Sequence, residues 1–199
     1  MKRYIALLAA ATVIVSLAAC GSDKREASGR SEKTQEQTAA ADAEPASDGK
    51  ILIAYFTVAE NSGVDAVSSA SYSMVNDKPV GRLRAIADMI QAETGGELFS
   101  IRTSVVYPAD GGELIDYAAN EQEEDVRPEL TSHIEGLDEY GTVFVGFPNW
   151  WADLPQVLYS FFDEYDLSGK TIIPFNVHNG SRFSGTIETI QELEPEATV

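Results

Sequence analysis

The chain has 199 residues and a formal net charge of -18, and 44% of its residues are hydrophobic. This length accommodates one domain of ordinary size with additional segments, and this hydrophobic content is sufficient for a packed core. The acidity argues against a nucleic-acid-binding surface, so we expect no nucleic-acid partner. With two histidines and one cysteine in the whole sequence, zinc ligands are scarce, and we expect no metal site.

The first residues have the three-part organisation of a secretory signal. A basic head, Met1-Lys2-Arg3, precedes an apolar, Ala-rich segment over residues 4–17. The segment is short for a bilayer-spanning helix and is typical of a signal peptide. It ends in Leu17-Ala18-Ala19-Cys20, which resembles the bacterial lipobox and implies cleavage before Cys20 and acylation of its thiol. An ordinary signal peptide followed by a cysteine without special role is the alternative.

We therefore predict three regions: a lipoprotein signal peptide over residues 1–19, a flexible tether over residues 20–49, and one domain over residues 50–199. The tether would begin at lipidated Cys20. It is rich in Ser, Ala, Glu and Gln and contains no large apolar residue, so it cannot bury enough surface to offset the entropy of ordering. This organisation predicts an extracytoplasmic protein that is anchored to the membrane through Cys20.

Strand and helix patterns alternate through the first half of the predicted domain. Residues 51–56 form an apolar run typical of a buried strand, and residues 57–80 are predicted as a long polar loop. Apolar positions with helical spacing follow Gly81 and end at a pair of glycines. Residues 97–102 alternate as in an edge strand, and a weak helix follows, with an acidic end at residues 121–125 that we expect to face solvent.

The second half repeats this alternation. Residues 142–147 predict a buried strand, a helical pattern runs from Leu154 to Tyr165, and residues 171–175 predict another strand. A polar loop over residues 176–185 and a helix come next, and residues 197–199 begin a further strand. This order predicts a parallel sheet with right-handed crossovers. The phosphate loop of nucleoside triphosphatases, the dinucleotide-binding glycine motif and the nucleophile elbow of α/β-hydrolases are absent from the sequence.

Three segments follow the predicted strands at their carboxyl ends, where open α/β sheets bind ligands. Thr57 follows the first strand, and Gly81 precedes a helix whose first N–H groups are suited to a phosphate. The other segments are Pro148-Asn149-Trp150-Trp151 and His178-Asn179-Gly180-Ser181-Arg182-Phe183. A flat, phosphorylated ligand fits this combination. The plainer interpretations are packing aromatics for the two tryptophans, a turn cap for Thr57 and a hydrogen-bonded loop residue for His178.

Together, these segments resemble the bacterial flavodoxin-like proteins, in a branch often found as secreted lipoproteins with a longer first loop. The resemblance covers residues 50–199 and rests on residues 51–57, Gly81, and residues 146–151, 167–171 and 178–181. It implies an α/β fold, a three-layer flavodoxin-like sandwich with a parallel sheet in the order 2-1-3-4-5, whose last strand and helix we expect to be truncated. It also implies FMN as the cofactor and redox chemistry on the flavin.

The resemblance assigns site residues by position. The phosphate would be bound by Thr57, Gly81, Arg82 and Leu83. One side of the isoalloxazine would be lined by Pro148, Asn149, Trp150 and Trp151, and the other by His178, Gly180, Ser181 and Arg182. Family members often carry Gly-Asn-Thr where this chain carries Gly81-Arg82-Leu83. Either Arg82 supplies charge in place of the two missing side chains, or the phosphate site is weakened.

We therefore expect an FMN-binding lipoprotein that transfers electrons outside the cytoplasm to a redox partner protein or a small electron acceptor. A flavin-dependent reductase of a quinone or a similar small acceptor is the second hypothesis, and it needs a proton donor such as His178 or Tyr55. The third hypothesis is a non-redox binding lipoprotein that has lost FMN, and it is motivated by Arg82-Leu83.

Overall fold

The computed structural model describes residues 49–199 of the protein. The predicted signal peptide, Cys20 and all but the last residue of the predicted tether lie outside the described residues. The strands are β1 Lys50–Tyr55, β2 Tyr72–Val75, β3 Lys78–Gly81, β4 Glu97–Ser100, β5 Tyr140–Pro148 and β6 Thr171–Val177. The helices are α1 Val58–Asn61, α2 Arg82–Thr94, α3 Gly111–Glu123, α4 Gln156–Glu164 and α5 Thr186–Leu193, and a short 3-10 helix covers Leu137–Glu139. None of these helices is long and apolar enough to cross a bilayer.

Four strands form one parallel sheet in the order β4-β1-β5-β6. This is the predicted order for the first four parallel strands, so the predicted α/β fold is confirmed. Thr198 pairs in parallel with Thr171 on β6. The Ile172 N–H donates to the Thr198 carbonyl at 2.7 Å, so the segment over residues 197–199 adds to β6 where a fifth strand was predicted.

The side chains of β1 alternate between two apolar cores, one on each face of the sheet. Leu52 and Ala54 point into the core that contains α4 and its Phe161, whereas Ile53 and Tyr55 point into the core that contains Leu83 of α2. Helices α3 and α5 also contribute to the first core. The continuous apolar run of β1 is thus explained by burial on both faces, as parallel strands in three-layer folds require.

The predicted long loop over residues 57–80 contains regular structure, so that prediction was wrong in part. It forms α1 and the hairpin of β2 and β3, in which Tyr72 pairs with Gly81. The hairpin turn is Asn76-Asp77, with φ values of 51° and 61°. Two consecutive residues with positive φ match the twist of a hairpin, and Asn and Asp tolerate that conformation better than most residues. The Asn-Asp pair was therefore the sequence signal for this hairpin.

The acidic run at residues 121–125 does not face solvent throughout, because Glu121 is only 5% exposed. Its two carboxylate oxygens both accept from the Tyr107 hydroxyl, at 3.3 Å. Burial raises the pKa of Glu121 to about 7, and the hydrogen bond from Tyr107 opposes this shift only in part. The remaining residues of the run are at least partly exposed, so the prediction was wrong for Glu121 alone.

Gly146 lies in the second half of β5, beside Phe175 of β6. A β-carbon at position 146 would overlap the Phe175 ring. We therefore expect Gly146→Ala to destabilise the protein by about 1–3 kcal/mol through overpacking. Urea unfolding monitored by circular dichroism measures this loss. Gly185→Ala is the matched control, because a β-carbon there meets nothing within 4 Å; equal stability of the two variants would contradict the account.

The raised pKa of Glu121 predicts how the stability of the protein depends on pH. Its pKa lies near 7 in the folded chain and near the ordinary 4.5 in the unfolded chain, so the folded chain binds the proton more tightly. Stability therefore falls as the pH rises from about 4.5 to 7 and stays low above that window. The expected cost of the ionised form is roughly 3 kcal/mol.

Glu121→Gln should remove this cost, because the amide keeps an acceptor for Tyr107 and carries no charge. We expect the variant to be more stable than the wild type at pH 8 and similar to it at pH 5, as measured by urea unfolding. Glu123→Gln, two residues further along the same helix and exposed, controls for the loss of one negative charge. If Glu121→Gln were less stable than Glu123→Gln at pH 8, ionised Glu121 would be stabilising, which would contradict this prediction.

Candidate functional site

Loops that follow β1, β5 and β6 meet at the carboxyl end of the sheet around two adjacent cavities. The small cavity has a volume of about 80 Å³ and the large cavity about 630 Å³. The small cavity is lined by Phe56, Thr57, Val58, Ser69, Ser71, Arg82, Leu83, Leu114, Pro148, Trp150 and Val177. The large cavity is lined by Ser69, Ala70, Ser71, Gly111, Leu114, Ile115, Ala118, Asn149, Trp150, Trp151, Ala152, Asn179 and Ser181. Because four residues line both cavities, we treat them as one cleft.

The small cavity lies at the N-terminus of α2. Gly81 precedes the helix, and no side chain caps its first N–H groups. The Thr57 hydroxyl makes no capping hydrogen bond at the start of α1, and it lies close to Gly81, 3.4 Å from where a β-carbon would stand. Any larger residue at position 81 would narrow the approach to Thr57. An uncapped helix N-terminus and a hydroxyl without a capping partner together suit an anion.

Arg82 is the first residue of α2 and lines the small cavity. Its backbone N–H donates to the Ser71 carbonyl at 3.1 Å, and its Nε donates to the Tyr72 carbonyl at 3.0 Å. The hairpin thereby fixes the Nε atom of Arg82 and leaves its two terminal amino groups available to an anion. A cation at this position opposes the helix dipole unless an anion is bound nearby.

The charge of the cleft differs from the charge of the whole chain. Arg82 is the single charged residue among those that line the small cavity, and the large cavity has neither acidic nor basic residues in its lining. No aspartate or glutamate of the described residues therefore faces into the cleft, although the full chain carries a net charge of -18. An anionic ligand meets one cation there and no carboxylate.

The two tryptophans have different environments. Trp150 and Asp153 exchange two backbone hydrogen bonds around a two-residue turn, in which Trp151 and Ala152 have φ values of 51° and 66°. Both side chains line the large cavity, but their other contacts differ. Trp150 packs against the core and lines both cavities, whereas Trp151 is 57% exposed and its indole N–H donates to the Ile115 carbonyl of α3 at 3.1 Å.

Trp150 is held by edge-to-face contacts with two buried rings. The ring centroids of Trp150 and Phe56 are 5.7 Å apart, and those of Trp150 and Tyr107 are 5.6 Å apart. Tyr107 is also in edge contact with Phe56 and with Tyr117. Each such contact adds about 0.5–1.5 kcal/mol to the effect of burial. These four rings form a rigid aromatic wall, and we refer to them below as the aromatic cluster.

Asn149 joins the loop after β5 to the loop after β6. Its N–H donates to the Val177 carbonyl at 2.9 Å, and its Nδ2 donates to the Arg182 carbonyl at 2.8 Å. Its Oδ1 is buried and has no hydrogen-bond partner among the described residues. Asn149 lines the large cavity, so a ligand N–H that reached this orphaned acceptor would offset the cost of its burial.

The loop after β6 contributes fewer residues to the cleft than the sequence predicted. Ser181 lines the large cavity, whereas His178, Gly180 and Arg182 do not line either cavity. His178 is exposed, and its Nδ1 accepts from the Gly180 N–H at 3.0 Å. The Nε2 atom is therefore the one that carries the proton in neutral His178. Arg182 takes part in the loop through its carbonyl, which accepts from both Asn149 and Asn176.

Tyr55 is poorly placed as a proton donor. It is buried and does not line either cavity. Its hydroxyl donates to Glu60 at 2.9 Å and accepts from Arg84 at 2.7 Å. Burial, followed by the charge of Glu60, raises the pKa of Tyr55 well above its ordinary value. The structure therefore corrects the expectation that Tyr55 delivers a proton to the cleft; it joins α1 to α2 instead.

The sequence did not identify several lining residues. Ser69 and Ser71 lie in the segment that was predicted as a plain loop, and Leu114, Ile115 and Ala118 belong to α3, which was predicted only as a weak helix. Asn179 was part of the quoted loop motif and was not assigned to the site. Residues 49–199 contain no cluster of three or more His, Cys, Asp or Glu side chains that could hold a metal ion.

Comparisons with known proteins agree with this geometry. A family model described as Flavodoxin matches residues 73–199, which is well over half of the chain. Two crystal structures provisionally described as flavoproteins are similar, from Bacteroides eggerthii and Bacteroides uniformis. The first is 25% identical with a TM-score of 0.59, covering 75% of this chain and 84% of its own. The second is 26% identical with a TM-score of 0.59, covering 75% and 85%.

A third crystal structure, of a flavoprotein in complex with FMN from Lactobacillus acidophilus, is 16% identical with a TM-score of 0.58 and covers 76% of this chain and 89% of its own. At that identity it supports the fold alone. No curated protein sequence matches the chain. The family match, the parallel sheet in the order β4-β1-β5-β6 and the site at the carboxyl ends of its strands lead to one conclusion: the chain belongs to the flavodoxin family.

Proposed function

We propose that the protein binds FMN in the cleft and works as a redox protein. The observation that carries this proposal is the charge and shape of the cleft. In a chain of net charge -18, the lining contains one cation, Arg82, and no carboxylate of the described residues. One end offers a helix N-terminus with hydroxyl groups, and the other end offers aromatic and amide side chains. A flavin nucleotide has the same division into an anionic end and a flat end.

The residues at the small cavity fit a phosphate. Thr57, Ser69 and Ser71 supply hydroxyl groups, and Leu83 at the start of α2 supplies an N–H group that no side chain caps. The Arg82 N–H already donates to the Ser71 carbonyl, and Gly81 lies next to the cavity without lining it. Arg82 adds a charge that can pair with phosphate, which compensates for the absence of the usual Gly-Asn-Thr. This end would bind and orient the cofactor. Because the start of α2 has no side-chain cap, we favour a phosphate site in which Arg82 replaces the usual side chains. This argues against the third hypothesis, in which the protein has lost FMN.

The residues at the large cavity fit the isoalloxazine. Trp150 provides a rigid apolar wall, Trp151 extends beyond it over α3, and Pro148 lies next to Trp150 in the lining of the small cavity. The orphaned Oδ1 of Asn149 would accept a hydrogen bond from a ring N–H of the flavin. Ser181 lines the same cavity, and Gly180 and Arg182 hold the loop that carries it. When FMN is bound, the flavin supplies the electron transfer itself, and the protein supplies binding and tuning.

The large cavity also bears on the choice between an electron carrier and a reductase of a quinone or similar small acceptor. Its volume of about 630 Å³ and its uncharged lining leave room for a small acceptor beside Trp151. A reductase would need a proton donor, and exposed His178 with its protonated Nε2 is the available candidate near this loop. Steady-state turnover of a quinone with NAD(P)H identifies a reductase, and one-electron exchange without turnover identifies a carrier.

Arg82→Ala tests the phosphate role of the small cavity. We expect the variant to bind FMN at least tenfold more weakly, because a charge-assisted pair of about 1.5–3 kcal/mol is lost, and to show a smaller dependence on salt. Affinity for riboflavin, which lacks the phosphate, should be unchanged. Titration calorimetry at two salt concentrations measures both ligands.

Arg102→Ala is the matched control, because Arg102 is exposed and lies outside the lining of the cleft. Its FMN affinity should equal that of the wild type. If Arg82→Ala and Arg102→Ala bind FMN equally well, Arg82 does not contact the phosphate.

We further propose that the protein works outside the cytoplasm, anchored to the membrane through acylated Cys20. The lipobox-like Leu17-Ala18-Ala19-Cys20 and the absence of large apolar residues in the following segment support this placement. The same anchor would bring the flavin domain near membrane-bound electron donors or acceptors. A strongly acidic protein is not attracted to anionic lipid by its own surface, so the lipid chain would be needed for attachment.

Cys20→Ser should therefore move the full-length protein from the membrane fraction to the soluble fraction of the producing bacterium, because serine offers no thiol for acylation. Fractionation followed by immunoblotting measures this shift. Ser22→Ala, two residues further on, is a control that should stay with the membrane. Membrane association of Cys20→Ser equal to that of the control would refute lipidation as the basis of the anchor.

A further inference from the structure

A buried carboxyl group lies directly behind the wall of the cleft. Glu121 is 5% exposed, and Tyr107, its hydrogen-bond partner, is 1% exposed. Both carboxylate oxygens of Glu121 accept from the one Tyr107 hydroxyl. Among residues 49–199, no lysine, arginine or histidine forms an ion pair with Glu121. An ionised carboxylate without a cation is costly in such surroundings.

The aromatic cluster connects this carboxyl to the cleft. The Tyr107 ring is in edge contact with Phe56 at 5.5 Å and with Trp150 at 5.6 Å. Phe56 lines the small cavity, and Trp150 lines both cavities. One buried phenol therefore separates Glu121 from the rings that a bound ligand would touch. Charges separated by apolar rings interact more strongly than charges separated by water.

Other titratable groups around Glu121 are neutral or already paired. Tyr117 on the same helix is in edge contact with Tyr107, and it is a phenol that stays neutral near pH 7. On the neighbouring segments, Asp153 accepts from Tyr159, while Arg127 pairs with Asp125 and Asp163. The carboxylates Glu123 and Glu124 on α3 are exposed, so solvent screens them. Glu121 is therefore the group in this region whose charge can change near neutral pH without breaking an ion pair.

We infer that Glu121 is a proton-binding site linked to the cleft: when an anionic flavin nucleotide fills the cleft, the protein takes up a proton at Glu121. This inference rests on the proposed function. Two effects act in the same direction. The bound nucleotide brings negative charge to the other side of the aromatic cluster, and it covers the cleft and excludes water, which makes the ionised carboxylate more costly. Tyr107 keeps its hydrogen bond with either form of Glu121.

The linkage has a definite sign. Free protein near pH 7 holds Glu121 in both forms, whereas the complex holds mainly the protonated form. FMN binding should therefore weaken as the pH rises from 7 to 9, by at most about tenfold per pH unit for one linked proton. The FMN phosphate titrates near 6, so it contributes little to the change across this range.

The experiment measures the dissociation constant of FMN at pH 7, 8 and 9 for the full chain by titration calorimetry. We expect several-fold weakening for the wild type and for Glu123→Gln, which removes an exposed charge from the same helix. Glu121→Gln mimics the protonated acid, so its affinity should vary less with pH and should exceed that of the wild type at pH 9. Repetition at pH 8 in buffers of different ionisation enthalpy should detect proton uptake in the wild type and not in Glu121→Gln.

A second measurement tests the connection between Glu121 and the cleft wall without FMN. The chain has two tryptophans, so Trp151→Phe leaves Trp150 as the sole fluorophore of this type. Its emission should titrate near pH 7, and the transition should disappear in the double variant with Glu121→Gln. Equal pH profiles of FMN binding in the wild type and Glu121→Gln would overturn the linkage alone. Failure of FMN to bind at any pH would overturn the proposed function and the linkage together.

Discussion

The edge-to-face packing of Trp150 on Phe56 and Tyr107 determines the shape of the cleft. Phe56 directly follows β1, and Trp150 follows β5 two residues after its end, so the contact joins the carboxyl ends of two central strands. Both partners of Trp150 are fully buried. The indole is thus fixed by core packing although it forms part of a binding surface. The neighbouring turn, with positive φ at Trp151 and Ala152, costs about 1–3 kcal/mol for each strained residue, which the packing of Trp150 must offset.

A second constraint is the separation of charge within an acidic protein. The chain has 32 aspartates and glutamates. None of those in the described residues lines the cleft. In α2 and in α1, Asp88 and Glu60 both pair with Arg84. Arg84 also contacts Tyr55, so a small polar network joins α1 to α2 just below the small cavity. This network leaves Arg82 as the one charged residue in the lining of the cleft among the described residues.

Much of the fold followed from the sequence because the central strands are apolar on both faces. The apolar runs at β1 and β5 are difficult to explain as anything other than buried strands. Helix α2 ends at Gly95, with φ of 71°, where the sequence has a pair of glycines. The motif Pro148-Asn149-Trp150-Trp151 was placed correctly at the carboxyl end of a strand. Its two tryptophans were expected on one side of a ligand, and both line the large cavity, with the tight turn between Trp150 and Asp153 giving them different contacts.

Other features depend on contacts between distant residues and could not be predicted from local patterns. Glu121 stands in a run of acidic residues that resembles a solvent-exposed helix end, and its burial is set by Tyr107, 14 positions earlier. Ser69 and Ser71 reach the cleft because the β2–β3 hairpin folds back onto α2, with the Arg82 N–H bonded to Ser71. The orphaned Asn149 Oδ1 likewise arises from the approach of the β6 loop.

The most direct test is whether the purified full-length protein, freed of flavin, binds added FMN. The protein is denatured and refolded without flavin, mixed with an excess of FMN, and passed over a gel-filtration column while absorbance is recorded at the flavin and protein wavelengths. The account predicts a yellow protein peak with about one FMN per chain, with the flavin released again on denaturation. A colourless, folded protein peak with all the FMN in the late fractions would contradict the claim that this cleft is a flavin site.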